Sequence, residues 1–458
     1  MYRQDLYHNF ELTNHFNGVI SKIRRKYGED ALDKSLEQVL SLIGYKYLSQ
    51  NPTGVADRGY TLKEEYHYNN LSIHKKDVKE ILMKGIKEIT QENDNQQAAD
   101  VFYDLFDLVD FETYPNNEDW LFFIEMVEWV MNNTKASLGQ AFNFITQYPK
   151  KTRININNLR PYELLAKIIT KNQEKVENLY DPYATNGSLM ASISNLIDVN
   201  HYYGQHDDFN KYVLAKLNLL VNNVNYKNIH IKNEDIVNQE DWGEIKFDLS
   251  ATIPPFNRFI LDISPDDERF QHVKPYKTSD LPYILDMLYN LDDDGTMAVI
   301  VPQATLFKKG AHHKIIKYLV DNQLIKSIIA LPAILFEDRS IPTALIIFDK
   351  KPKNDIFFMN LENAWFKKEF EDPLNLFKAD TYIKMLIDKE DVDLISKSVD
   401  LDEIRDNDYN LSINRYIEFE VLKKIDIDEK MANITEIEEK LKQLDDELNS
   451  KIKNLLNL

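Results

Sequence analysis

Between residues 151 and 390, short apolar and β-rich runs alternate with amphipathic stretches of helical length. A chain patterned this way folds into a sheet covered by helices on both faces. Candidate strands lie at 176–180, 247–252, 296–301, 325–331 and 344–348. The last two are almost wholly aliphatic, as befits central strands buried on both sides. The predicted class is therefore α/β, with a parallel sheet.

The flanks read differently. In residues 1–150, Leu36, Leu40, Ile43 and Tyr47 share one helical face, and the apolar run at 101–106 recurs at 120–126, so an all-α N-terminal domain is predicted. The Pro/Gly-rich stretch 51–59 reads as a loop between helices. Residues 391–458 turn helical again, with Ile434, Ile437, Leu441, Leu444 and Leu448, then Ile452 and Leu455, recurring three or four apart with one stutter. That spacing fits a coiled-coil seam and equally a terminal helix packed on its own domain. Three segments over 458 residues suit a multidomain protein.

The chain has no cysteine, which removes disulfides, Cys-ligated zinc, iron–sulfur clusters and thiol catalysis, and suits a reducing cytosol. The first twenty residues lack a signal-peptide pattern, and no run approaches the ~18 apolar residues of a bilayer span. A cytoplasmic protein, neither secreted nor membrane-bound, is expected. Acidic residues number 75 against 55 basic, a net charge of −20. A bare clamp on phosphates would lean the other way, so any DNA contact must be local or supplied by a partner.

The first βα turn is Tyr180-Asp181-Pro182-Tyr183-Ala184-Thr185-Asn186-Gly187-Ser188. Doubly wound sheets bind nucleotide-like ligands at such a turn, where glycines let backbone amides approach. Alone, an Asp-Pro turn with one glycine is more often an ordinary connection. Further strand-end segments follow in order: Gly204-Gln205-His206-Asp207, Asn233-Glu234-Asp235, and Thr252-Ile253-Pro254-Pro255-Phe256-Asn257. Together they resemble the modification subunit of type I restriction systems, the HsdM-like adenine-N6 DNA methyltransferases. The resemblance covers about 150–420 and includes Ile341-Pro342-Thr343-Ala344 and Asn410-Leu411-Ser412-Ile413-Asn414-Arg415-Tyr416. It implies a Rossmann-like class I methyltransferase domain over 151–390. It also implies S-adenosylmethionine at Asp181, Pro182, Thr185, Gly187, His206 and Asp235, and a target adenine at 253–256.

The departures from the family pattern fall where ligands would be. Adenine N6 is a poor nucleophile because its lone pair is delocalised; the family's Asn oxygen and a Pro carbonyl accept its hydrogens while the aromatic ring stacks on the flipped base. Ile253 stands in place of that Asn. An unpaired buried donor costs ~1–3 kcal/mol, and losing such a group costs ~10²–10³ in rate. Thr185 replaces the first family glycine, and its β-branch resists positive φ. His206 replaces the ribose-binding carboxylate and offers one acceptor nitrogen instead of two oxygens, with Asp207 as a neighbouring substitute. Upstream, the segment from Asn158 to Glu163 keeps Pro161 and Glu163 but not the family's Thr.

The expectation is a degenerate methyltransferase with weakened or lost cofactor binding. It would act through assembly with a specificity subunit or a paralogous modification subunit, by self-association, or by regulating such complexes, with DNA contact weak or indirect. The rival is an active adenine-N6 methyltransferase in which Thr252 or Asn257 supplies the acceptor. An acidic DNA mimic is a minor alternative. His67, His74, His312 and His313 lack metal-ligand spacing and are expected as solvated surface histidines, with no metal bound. Lys22, Arg24, Arg25 and Lys26 read as a solvated helix face.

Overall fold

The aliphatic runs pair into one sheet of nine strands among the described residues, ordered β3-β2-β1-β4-β5-β7-β6-β8-β9. They are β1 Lys175–Asp181, β2 Asp198–Gln205, β3 Ile229–Lys232, β4 Phe247–Thr252, β5 Leu291–Pro302, β6 Ile325–Leu331, β7 Thr343–Asp349, β8 Asp355–Asn360 and β9 Ser396–Asp400. The computed structural model describes residues 2–50, 59–91, 95–147, 161–237, 242–256, 263–264, 266–270, 280–331, 341–362, 379–418 and 440–444. Strands β1 to β5 run parallel, so the C-terminal ends of β1, β2, β3, β4 and β5 share one rim.

The sheet is mixed and not uniformly parallel, which corrects the expectation. β7 lies antiparallel between β5 and β6, and β9 is antiparallel to β8. Only eleven residues separate Leu331 from Thr343, fewer than a parallel crossover needs, so the returning strand runs the other way. A second correction concerns the tail: β9, a short polar edge strand, lies in the stretch beyond 390 read as helical. Its sequence Ser-Lys-Ser-Val-Asp carries no apolar run, because an edge strand buries little.

Helices cover both faces. The N-terminal region is helical as expected, with α1 Tyr2–Tyr27, α2 Leu32–Gln50, α3 Tyr68–Leu71, α4 Val78–Gln91, α5 Gln96–Phe102, α6 Asn117–Asn133 and α7 Leu138–Thr146. Its core is continuous with one face of the sheet, joined by α8 Pro161–Thr170, α9 Ser188–Ser194, α10 Phe209–Val221 and α13 Ala379–Asp388. The other face carries α11 Asp280–Asn290, α12 Ala311–Asp321 and α14 Leu401–Asp406. Gly44 of α2 lets Leu217 of α10 approach, since a Cβ there would lie 2.5 Å from a Leu217 methyl.

Residues Met1–Ile417 form one compact unit and Glu418–Leu458 a second. In the second unit residues 440–444 are helical, with Leu441 and Leu444 exposed. The other apolar positions of the proposed seam lie outside the described residues.

Candidate functional site

The parallel register brings Asp181, Gly204, Gln205, Lys232 and Thr252 to one rim. Asp181 ends β1 fully buried. Its Oδ1 accepts a 2.7 Å hydrogen bond from the Thr252 hydroxyl of β4 and one of 3.0 Å from the Tyr183 amide. Burial pushes its carboxyl up to about 7, against the pull of those two donors. Thr252, a candidate replacement for the missing acceptor, is thus turned toward β1 and wholly buried. Asn257, the other candidate, lies outside the described residues.

The turn after β1 is closed by its own contacts. The Ala184 amide donates to the Gln205 carbonyl at 2.9 Å, and Gly187 N–H donates to the Ala184 carbonyl at 2.8 Å. Asn186 Oδ1 accepts from the Ser188 amide at 3.2 Å, at the start of α9, and its Nδ2 donates to the Thr146 carbonyl at 3.0 Å. Asn218 of α10 donates to the Asn186 carbonyl at 2.8 Å. Gly187 has φ +70°, and an added Cβ would lie 2.9 Å from the Ala215 carbonyl oxygen. Its retention therefore has a packing reason independent of any ligand. Thr185 is not among the residues at positive φ, so its β-branch strains nothing here, contrary to the sequence expectation. Its hydroxyl lies 3.4 Å from the Tyr162 hydroxyl.

At the end of β2, His206 is buried and its Nδ1 accepts the Asp208 amide at 2.9 Å, which places the proton of the neutral ring on Nε2. The Tyr183 ring lies against it, centroids 4.4 Å apart, and Tyr283 of α11 meets Tyr183 edge-on at 5.8 Å. Tyr183, Ile236 and Tyr283 form a small apolar cluster at this rim with Val237 and Ile263. Asp207 is exposed, and Asp235 is half-buried with its carboxylate toward the Val237 amide at 3.4 Å. The side-chain amide of Gln205, fully buried, has no hydrogen-bond partner at either end.

After β4, Ile253 and Phe256 are half-buried against the larger hydrophobic core, with Pro254 and Pro255 between them. Sequence reading singled out neither the Tyr183–His206 contact nor the clasp over the same rim. In that clasp Arg269 donates to the Ile236 carbonyl at 2.8 Å and to Asp286 at 2.9 Å, and Asp286 accepts from the Tyr180 hydroxyl at 2.8 Å. No local spacing signals a partnership between a loop arginine and a helix aspartate 17 residues on.

Other candidates fall away. Among the described residues no group of three metal-ligating side chains exists. His74 is exposed, but His312 is buried rather than solvated, with its ring held below the usual value by burial and by Lys308. Asn158 to Arg160 lie outside the described residues, whereas Pro161 opens α8 and Glu163 sits in its first turn. Lys22, Arg24 and Lys26 are neutralised by Glu125, Glu29 and Asp119.

The strand order, with its antiparallel β7, defines a class I methyltransferase fold carrying an N-terminal helical region. The profile of the N-6 DNA methylase family matches residues 160–424, and the chain belongs to that family. It is 28% identical over 318 residues to the type I restriction enzyme MpnII methylase subunit of Mycoplasma pneumoniae, covering 64% of this chain and 58% of that one. It is 27% identical to the MjaVII methylase subunit of Methanocaldococcus jannaschii, covering 93% of this chain and 79% of that protein. Among solved structures, a type I restriction-modification methyltransferase subunit from Streptococcus thermophilus shares the fold at a TM-score of 0.72, 21% identity, 90% coverage of this chain and 100% of that one. A modification subunit of a putative type I restriction enzyme from Vibrio vulnificus does so at 0.62, 15% identity, and coverage of 86% and 93%.

Proposed function

We propose that this chain is a modification-type subunit that no longer methylates adenine and acts through assembly with restriction-modification subunits. The carrying observation is Ile253, whose side chain joins the hydrophobic core where the family's acceptor would face the base, while Thr252 is engaged by Asp181. A site of this shape keeps the two prolines and the stacking ring but leaves one amine hydrogen of an entering adenine without its acceptor.

Several contacts support weakened S-adenosylmethionine binding. Tyr183 and His206 are already in ring contact, the Ser188 amide that opens α9 already donates to Asn186 Oδ1, and burial raises the Asp181 carboxyl above the usual aspartate range. The second reading, an active adenine-N6 methyltransferase, is favoured by Gln205 alone, whose orphaned amide is the kind of group a bound ligand satisfies. The assembly half of the proposal is supported by the exposed Leu441 and Leu444, three residues apart on one helical face. Among the described residues no helix is long and apolar enough to cross a membrane, and the cytoplasm is the proposed location.

The test is transfer of a radiolabelled methyl group to duplex DNA by the purified chain, alone and with a type I specificity subunit. No label in DNA, together with co-purification that Leu441→Asp and Leu444→Asp abolish, is expected. Label above a protein-free control overturns catalytic silence. Gain of activity in Ile253→Asn would reduce the loss to one residue.

A further inference from the structure

The strand register sets two rings side by side at the rim. Asp181 of β1 stands opposite Gly204 of β2, so Tyr183 and His206, each two residues past that pair, leave neighbouring strands at the same level. The Ala184 amide, donating to the Gln205 carbonyl at 2.9 Å, ties the two exits together. The Tyr183 ring lies on the His206 imidazole, centroids 4.4 Å apart, at the position where the family pattern carries its ribose-binding carboxylate. No sugar fits against an imidazole face that a phenol ring already covers.

The two rings differ in freedom. His206 is buried and pinned: its Nδ1 accepts the Asp208 amide at 2.9 Å, its own amide donates to the Lys232 carbonyl at 3.1 Å, and its carbonyl accepts from the Asn233 side chain at 2.8 Å. Tyr183 is held at its backbone, where the amide donates to Asp181, but its side chain is half-buried at the edge of the cluster with Ile236 and Tyr283. Rotation about its Cα–Cβ bond moves the ring without disturbing a strand. Its contacts with His206 and with Tyr283 favour the closed arrangement. Two aromatic contacts of this kind shift such an equilibrium by about tenfold or more.

The closed arrangement leaves one group unsatisfied. The side-chain amide of Gln205, next to His206, is fully buried and has no hydrogen-bond partner at either end among the described residues. A rim repacked for good would satisfy or lose such a group, whereas a rim that opens keeps it for the state in which a ligand is present.

We propose that Tyr183 is a self-occluding plug, closed in the arrangement described and turned outward when an S-adenosyl ligand enters. This rests on the weakened-cofactor reading above and deepens it: the pocket is held shut by a movable side chain instead of being lost. Apparent affinity then falls in proportion to the fraction of molecules that are open.

Isothermal titration of the full chain with sinefungin, an unreactive S-adenosylmethionine analogue, tests this. Tyr183→Ala should bind at least about tenfold more tightly than the parent, and Tyr183→Phe, which keeps the ring, should show none of that gain. NMR of the parent with ring-labelled tyrosine needs no altered plug. Millimolar sinefungin should move the Tyr183 signal, identified by its absence from Tyr183→Phe. Equal affinity in Tyr183→Ala and the parent overturns the proposal, as does a gain shared by Tyr183→Phe or a Tyr183 signal that stays fixed while sinefungin binds. No binding by either the parent or Tyr183→Ala at millimolar sinefungin also overturns it, because the pocket is then lost and not plugged. Micromolar binding by the parent overturns the weakened-cofactor reading instead, and the comparison between variants still decides the plug. Methyl transfer is read separately, so failure here leaves the silent-enzyme reading untouched.

Discussion

Asp181 concentrates the consequences of burial in one side chain. Its folded-state value, near 7, lies above the ordinary aspartate value. Between about pH 4 and 7 the native protein therefore binds more protons than the unfolded chain, and stability falls as pH rises through that window. Asp181→Asn keeps an Oδ1 able to accept from Thr252 and Tyr183, and removes the ionisation. Urea denaturation should find the variant more stable than the parent at pH 8, on the order of 2–4 kcal/mol, with the difference shrinking toward pH 5. His230 of β3 has the opposite sign. Burial and the neighbouring His201, whose Nδ1 is 3.3 Å from its Nε2, pull it down to about 4. Since an unfolded histidine titrates near 6.5, the unfolded chain binds the extra proton between pH 6.5 and 4, and stability is lost as pH falls through that range. His230→Phe, which keeps a ring stacked on Tyr203, should reduce the acid-induced loss by about 1–2 kcal/mol once partial exposure is allowed for.

At the scale of elements, the βα turn after β1 depends on one backbone conformation. Gly187→Ala should combine left-handed strain with a clash against the Ala215 carbonyl and cost roughly 2–4 kcal/mol. Gly28 has φ +86° with nothing within 4 Å of a built Cβ, so Gly28→Ala should cost only about 1 kcal/mol. Thermal unfolding of both variants separates the two contributions; equal shifts would mean that the turn does not depend on close approach to α10. Most of the buried strands were legible in the sequence, but β8, buried from Ile356 to Asn360, was not among the candidates. β4 and β6 match their candidate runs end to end, whereas β2 begins with Asp-Val-Asn-His, exposed at Asp198 and half-buried over the next three residues, and β3 and β9 are short edges. Periodicity reports burial, and edge strands bury too little to leave a trace.

Across the whole molecule, the helical N-terminal region and the sheet are joined by a polar contact as well as an apolar one. Lys216 of α10, almost wholly buried, pairs with Asp104 and donates to the Tyr212 hydroxyl at 2.8 Å; burial lowers its pKa. Asp104→Ala strands a buried ammonium and should cost about 3–5 kcal/mol, more than Lys216→Met, which leaves a carboxylate nearer to water. Denaturant midpoints of the two variants decide it, and a larger loss in Lys216→Met would contradict the desolvation argument. The sequence by itself determined the α/β class, the helical N-terminal region, the family and the substitutions at 185, 206 and 253, because hydrophobic periodicity and strand-end motifs are local properties of the chain. Only the tertiary structure decided that β7 reverses between β5 and β6, that Thr252 is engaged by Asp181, and that Gly187 answers to Ala215. It alone placed Lys22 and Lys26 of α1 against Glu125 and Asp119 of α6. Each of these is a contact between residues distant in sequence, and its energy comes from desolvation and close approach, which no local pattern of residue types encodes.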